Sequence, residues 1–185
     1  GDRITAIGDL AGHQAHRVID GAGRHLMPGF IDVHTHDDTH VINHPAMLPK
    51  ISQGVTTVIV GNCGISASPV VLPGLPPDPM NLLGGPDAFC YPTFGDYAAA
   101  VVQACPSVNV AALVGHTALR ANVMDRFDRP ASEQELAQMC QTLQAALDAG
   151  AIGLSSGLAY TNAKQAPTQE MQRLVDIVGE HGALT

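Results

Sequence analysis

Basic residues are scarce in this chain: nine Lys and Arg stand against seventeen Asp and Glu in 185 residues, a net charge of −8. With no basic stripe to neutralise phosphates, nucleic-acid binding has no support, and neither does attraction to an anionic membrane. No apolar run reaches the ~20 residues that span a bilayer. The opening GDRITAIGDL lacks the charged-then-apolar pattern of a secretory signal. Four cysteines, Cys63, Cys90, Cys105 and Cys140, stand far apart, with no CxxC pair and far below the density of a disulfide scaffold, so reduced thiols are expected. These absences lead to the expectation of a soluble, cytoplasmic protein.

What the chain does have is a core and an excess of histidine. Hydrophobic residues make up 45% and charged residues 14%, which excludes disorder. The length allows one domain with a sizeable core but falls short of the ~250 residues of a complete eight-unit barrel. Nine histidines outnumber each aromatic type.

Apolar, β-branched runs alternate with longer amphipathic ones across Gly and Pro breaks, the signature of repeated βα units and a parallel sheet. Strands are predicted at 29–33, 55–60, 108–114 and 151–154, with a fifth beginning at 183–185. Their near-continuous apolar character predicts burial on both faces. Helices are expected at about 44–52, at 95–104 before Pro106, from a Ser132/Glu135 capping box to Gly150, and from a Thr168 cap to about Gly182. Cys105 and Cys140 fall on helices and are expected in the core. The Pro- and Gly-rich stretch 65–92 is too broken for regular structure and long enough to imply a covering or functional role. Residues 1–25 read instead as short strand-like pieces, the tail of a small β-domain. The expected architecture is therefore the first half of a distorted (β/α)8 TIM-type barrel, residues 26–185, within a longer chain.

The chemistry concentrates at strand ends. In LMPGFIDVHTHDD, the two-residue period of a strand puts His34 and His36 on one side and Thr35 on the other. Both imidazoles then converge where parallel α/β proteins place their sites, and Asp37 or Asp38 is a candidate to orient a ring. Alone, an HxH reads as readily as two loop histidines. Cys63, in VIVGNCGIS, follows the second strand between two glycines and could be a thiolate ligand or a small buried hydrophobe. His116 follows the third strand, and Ser155, Ser156 and Tyr160 the fourth; each could line a substrate pocket or serve local structure. The string GLSSG, residues 153–157, matches a nucleophile elbow, but a polar segment rather than a helix follows it, so serine-hydrolase chemistry is not expected.

PGFIDVHTHDD, GVTTVIVGNCGIS, GHTALR and GAIGLSSGLAY together closely resemble the N-acyl-D-amino-acid deacylases, or D-aminoacylases, of the amidohydrolase superfamily, and the resemblance covers essentially the whole chain. It implies zinc-dependent hydrolysis of the amide of an N-acyl-D-amino acid. It further implies His34 and His36 as metal ligands, Cys63 as a ligand of a tightly held zinc, and room for a second, weaker metal. In two-metal relatives a carboxylated lysine bridges the metals; here Lys50 is expected in a helix and Lys164 in a loop, and the cysteine takes over. The two remaining histidine ligands and the general acid/base aspartate of the family belong to later strands, so no residue of this segment is assigned that catalytic role. Two alternatives stand beside this one: a cyclic-amide hydrolase of the dihydropyrimidinase type, and a metal-free amidohydrolase-like scaffold.

Overall fold

The computed structural model describes residues 3–185. Its main sheet has four parallel strands in the order β1 (Phe30–Asp32), β2 (Val55–Val60), β5 (Asn109–Gly115), β6 (Gly153–Ser155). Strands adjacent in space are those that follow each other in the chain once a small hairpin is set aside, as a barrel wall requires. Leu184 continues the wall through a parallel bridge to Gly153, so the predicted fifth strand begins where expected. The predicted strands are found within two residues at each end.

The helices differ more. Of the helix expected at about 44–52 only a short α2 (Leu48–Ile51) is found, and a separate α1 (His40–Asn43) precedes the expected start. Pro45 and Pro49 explain the shortening: a proline has no N–H to give and is tolerated only in a first turn, where Pro49 sits in α2. α3 (Phe94–Ala104) starts at a capping box that the sequence reading missed: the Thr93 hydroxyl accepts from the Asp96 N–H at 3.1 Å, and the Asp96 carboxylate accepts from the Thr93 N–H at 3.1 Å. α5 (Glu133–Asp148) has the Ser132/Glu135 box as predicted. α6 (Thr168–Glu180) has Pro167, not Thr168, at its cap. An unforeseen helix, α4 (His116–Val123), begins directly at the end of β5.

The broken segment is also structured. Between Ile65 and Pro92, β3 (Val70–Val71) pairs antiparallel with β4 (Cys90–Tyr91), with two 3-10 turns in the segment between them. Ile65, Met80, Leu83 and Phe89 from this segment are buried in the main core. Its prolines prevent long elements without preventing apolar burial, and it acts as a cover.

Burial along the strands is uneven. In β2 and β5 the C-terminal halves are buried, while Phe30 and Ile31 of β1 are more than half exposed. The expectation of two-faced burial therefore fails for β1, whose outer edge has no partner among the described residues. Val58, Val60, Val114 and Leu154 of the sheet pack with Leu119, Met139, Leu143, Leu174 and Val178 of the helices. Cys140 is half-buried against this core, but Cys105 is exposed, because it lies past the last turn of α3 as its left-handed C-cap rather than on the helix face. Residues 3–29 contain no strand and are exposed. The strand-like pieces expected in 1–25 thus have no partner within the described chain, and residues 1 and 2 of that segment lie outside it.

Candidate metal centre

Two adjacent strand ends bring the three predicted ligands together. His34 and His36 follow β1 and Cys63 follows β2, and one ligand atom from each lies within 4.8 Å of the others. The rings of His34 and His36 stand edge-on with centroids 5.8 Å apart, and His34 Nε2 is 2.9 Å from Cys63 Sγ. Thr35 between them is buried and turns its hydroxyl to Asp37 and Lys50, although β1 ends at Asp32 and the tripeptide lies just past it. His36 Nδ1 is buried and has no hydrogen-bond partner. Burial, followed by the nearby His34 ring, holds the His36 pKa down, which favours the neutral, metal-binding form. Two imidazoles and a thiol at strand ends, one with an orphaned buried nitrogen, fit a zinc-type ion; three protein ligands leave a fourth position open.

The carboxylates proposed to orient these rings do other work. Asp37 lies 2.9 Å from Lys50 Nζ and accepts the Thr35 hydroxyl at 2.7 Å. Lys50 also donates to Asp32 at 2.6 Å and to Thr35 Oγ1 at 3.0 Å, and Asp32 accepts the His34 amide at 3.2 Å. The ion pair brackets the His-Thr-His tripeptide from behind and keeps Asp32 below its ordinary pKa. Asp38 is almost fully buried and accepts the amides of Gly61 at 3.3 Å and Ala67 at 3.1 Å, tying the two metal-bearing loops together. Burial pushes its carboxyl up to about 6, a rise those two amides only partly offset. Asn62 adds a second tie through its amide to the Thr35 carbonyl.

The turn that carries Cys63 is strained and clamped. Cys63 adopts φ 57°, a left-handed conformation that costs a non-glycine residue about 1–2 kcal/mol. Bonds on both sides hold it. The Ser155 hydroxyl donates to the Gly61 carbonyl and accepts the Gly64 amide at 2.9 Å, and the Thr117 amide at the start of α4 donates to the Gly64 carbonyl at 2.7 Å. Ser155 therefore spans the cysteine turn with its hydroxyl engaged at both ends, rather than presenting it to a pocket. Ser156 is exposed.

Tyr160 does reach the site. Gly157 fits between it and the cysteine: a Cβ there would sit 2.2 Å from the Cys63 carbonyl and 2.6 Å from the Tyr160 ring. The charge of the Cys63 sulfur, then burial and a hydrogen bond to that sulfur, raise the Tyr160 pKa, so the phenol keeps its proton. His116, also expected to line a pocket, is instead fully buried, with Nε2 2.7 Å from Glu170 Oε1. Glu170 accepts two more bonds from Arg120, at 2.6 and 2.8 Å. Burial would raise the Glu170 pKa; His116 and Arg120 outweigh it and keep the carboxylate ionised. Neither Arg120 nor Glu170 was legible as a functional residue, since an Arg in a short helix and a Glu in the first turn of another are ordinary surface choices.

Residues 17–183 match the amidohydrolase family. Among curated relatives, the N-acyl-D-aspartate deacylase of Alcaligenes xylosoxydans xylosoxydans is 50% identical over 171 residues, 92% of this chain and 34% of its own length. A solved D-aminoacylase with a binuclear metal centre superposes with TM-score 0.95 at 47% identity, over 99% of this chain and 38% of that one. The N-acyl-D-glutamate deacylase of Bordetella bronchiseptica, solved with zinc and a phosphonate mimic of its tetrahedral intermediate, gives TM-score 0.91 at 43% identity, over 98% and 38%. The chain thus spans little more than a third of the length of the relatives it matches. Its strand-end histidines and cysteine, its parallel half-barrel and the match over nearly its full length lead to one assignment: this chain belongs to the amidohydrolase family.

Proposed function

We propose that the protein hydrolyses the amide bond of N-acyl-D-amino acids, releasing a carboxylate and a free D-amino acid, with His34, His36 and Cys63 among the ligands of a zinc ion. The observation that carries this reading is the convergence of two imidazoles and a thiol within 4.8 Å at the strand ends of an amidohydrolase chain. The substrate class is supported by the relatives, which are named for N-acyl-D-aspartate, N-acyl-D-glutamate and D-aminoacylase activity. Zinc is supported by the Bordetella complex and by the thiol, which suits that ion.

When bound, zinc supplies Lewis acidity, polarising an acyl oxygen and lowering the pKa of water from about 16 to near 7. The chain's own contribution is positioning. Ser155 and the Thr117 amide hold the Cys63 turn, Lys50 and its two carboxylates hold the His-Thr-His tripeptide, and Asp38 joins the two loops. Tyr160, protonated beside Cys63, is the substrate-contacting residue we assign: its O–H can donate to an acyl oxygen as charge develops there. His116 and Ser155 support this pocket from behind its wall. The general acid/base would be an aspartate of a later strand, as the family resemblance implies. One tightly held zinc and a second, weaker position complete the centre.

Lys50 lies in α2 and Lys164 in a turn, so neither lysine stands at a strand end to bridge metals, which disfavours a dihydropyrimidinase-type centre. A reducing, cytoplasmic setting would keep Cys63 free as a ligand. The small β-domain, to which residues 1–25 would contribute strands, would cover the exposed Ile4, Ile7, Val18 and Ile19. The test is hydrolysis by the zinc-loaded full-length protein of N-acetyl-D-methionine, N-acyl-D-glutamate and N-acyl-D-aspartate. Release of at least one D-amino acid is expected. Tight zinc binding with none of the three cleaved overturns the proposal.

A further inference from the structure

Arg120 is fully buried on α4, and its guanidinium meets three separate segments. Nη1 donates to both oxygens of Glu170 on α6, Nη2 to the Arg129 carbonyl at 2.9 Å, and Nε to the Asn162 carbonyl at 2.9 Å. Asn162 belongs to the turn at 157–164, which closes on itself through bonds from the Ala163 and Lys164 amides to the Tyr160 carbonyl. The two ends of this turn behave differently. Asn162 and Ala163 are buried, whereas Leu158 is 46% exposed and Tyr160 partly exposed. The turn is therefore anchored at 162–163 and presents Tyr160 from the free side, against Gly157 and the Cys63 carbonyl. The same helix, one turn earlier, gives its Thr117 amide to Gly64 of the cysteine turn. α4 is thus a common reference for both loops.

We propose that Arg120, locked by Glu170, is a positioning residue for the hydrolysis: it fixes the 157–164 turn so that Tyr160 stays in register with the Cys63 turn. The inference rests on the reading of Tyr160 as a substrate contact. Stability alone is a poor reason for this cluster, because a buried ion pair often contributes no more than well-packed apolar residues of the same volume. The fork geometry gives a better one, since only a guanidinium can reach a carboxylate and two carbonyls on three segments at once. A lysine keeps the charge next to Glu170 and gives up the bond to Asn162.

The experiment is a double-mutant cycle on the zinc-loaded full-length protein, with Arg120→Lys, Tyr160→Phe and their combination. Zinc content and hydrogen exchange of residues 157–164 are measured alongside kcat/KM. Arg120→Lys is expected to lower kcat/KM on the order of 10- to 100-fold, the range for a misplacement of about 1 Å. It should leave zinc content unchanged and speed exchange in 157–164. In the Tyr160→Phe background its effect should shrink to about twofold or less, because residues acting through one another are not additive. Equal effects in both backgrounds, or a loss of activity that follows a loss of zinc, overturn the proposal. So does unchanged exchange in 157–164. Wild-type activity in Tyr160→Phe overturns instead the underlying assignment of Tyr160, while the exchange data still decide whether Arg120 anchors the turn. Should Arg120→Lys fail to fold, the charge-neutral pair Arg120→Met with Glu170→Met carries the same cycle.

Discussion

Replacing Ser155 by alanine tests how the metal site is preorganised. The Ser155 side chain bonds to the carbonyl of Gly61 and to the amide of Gly64, the residues on either side of the Asn62–Cys63 pair. Alanine removes both bonds and adds no bulk. At about 0.5–1.5 kcal/mol for each net hydrogen bond, the turn loses about 1–3 kcal/mol of support. Cys63 sits at φ 57° and depends on that support, because its left-handed conformation would relax once the clamp is gone. If the whole loss falls on metal binding, zinc affinity drops between about fivefold and a hundredfold at 1.4 kcal/mol per decade. Any part that falls on folding lowers the melting temperature of the zinc-free protein instead. Competition with a chromophoric chelator gives the affinity, and calorimetry of the zinc-free protein gives the remainder. Zinc affinity and zinc-free stability both at wild-type values would refute the idea that Ser155 holds the cysteine turn.

Gly61 has φ 79°, and a Cβ there would lie 2.1 Å from the Leu113 carbonyl of the neighbouring strand, so Gly61→Ala should part β2 from β5 and leave little folded protein by circular dichroism. Asp38 titrates at about 6 when folded but near 3.8 when unfolded. Its raised pKa means that ionisation opposes folding: the cost is absent below about pH 4, grows through the interval and is complete above about pH 6, reaching about 3 kcal/mol. In the zinc-free protein Asp38→Asn should remove that slope, so the stability difference from wild type should change in the variant's favour between pH 4 and 6; a pH-independent difference would refute it. Ser132→Ala should cost about 1 kcal/mol by thermal melting, as the loss of a helix cap does, with no change in zinc binding.

The parallel sheet was legible because β-branched runs such as VTTVIV have no competing helical period, and the ends of β2 follow directly from it. The convergence of His34, His36 and Cys63 was legible because all three follow predicted strands and the family resemblance implies them as ligands. What escaped the sequence was what depends on tertiary partners. α4 is hidden by its start at Gly115, with no side-chain cap and no preceding loop. β3 and β4 are two residues each and exist only through their pairing across eighteen intervening positions. The roles of Asp37 and Asp38 were misread for a related reason: both stand next to His36, yet Lys50 from α2 claims one and the backbone of the cysteine loop claims the other. Adjacency in sequence suggested ring orientation, whereas the fold pairs Asp37 with Lys50 and uses Asp38 to join the two loops.

The central claim is that two histidines and a cysteine at adjacent strand ends hold the metal. X-ray absorption at the zinc edge of the full-length protein tests it most directly. A sulfur scatterer at about 2.3 Å with imidazole nitrogens at about 2.0–2.1 Å is expected, with loss of the sulfur shell in Cys63→Ala. A zinc shell of nitrogen and oxygen alone, identical in wild type and in Cys63→Ala, would contradict it.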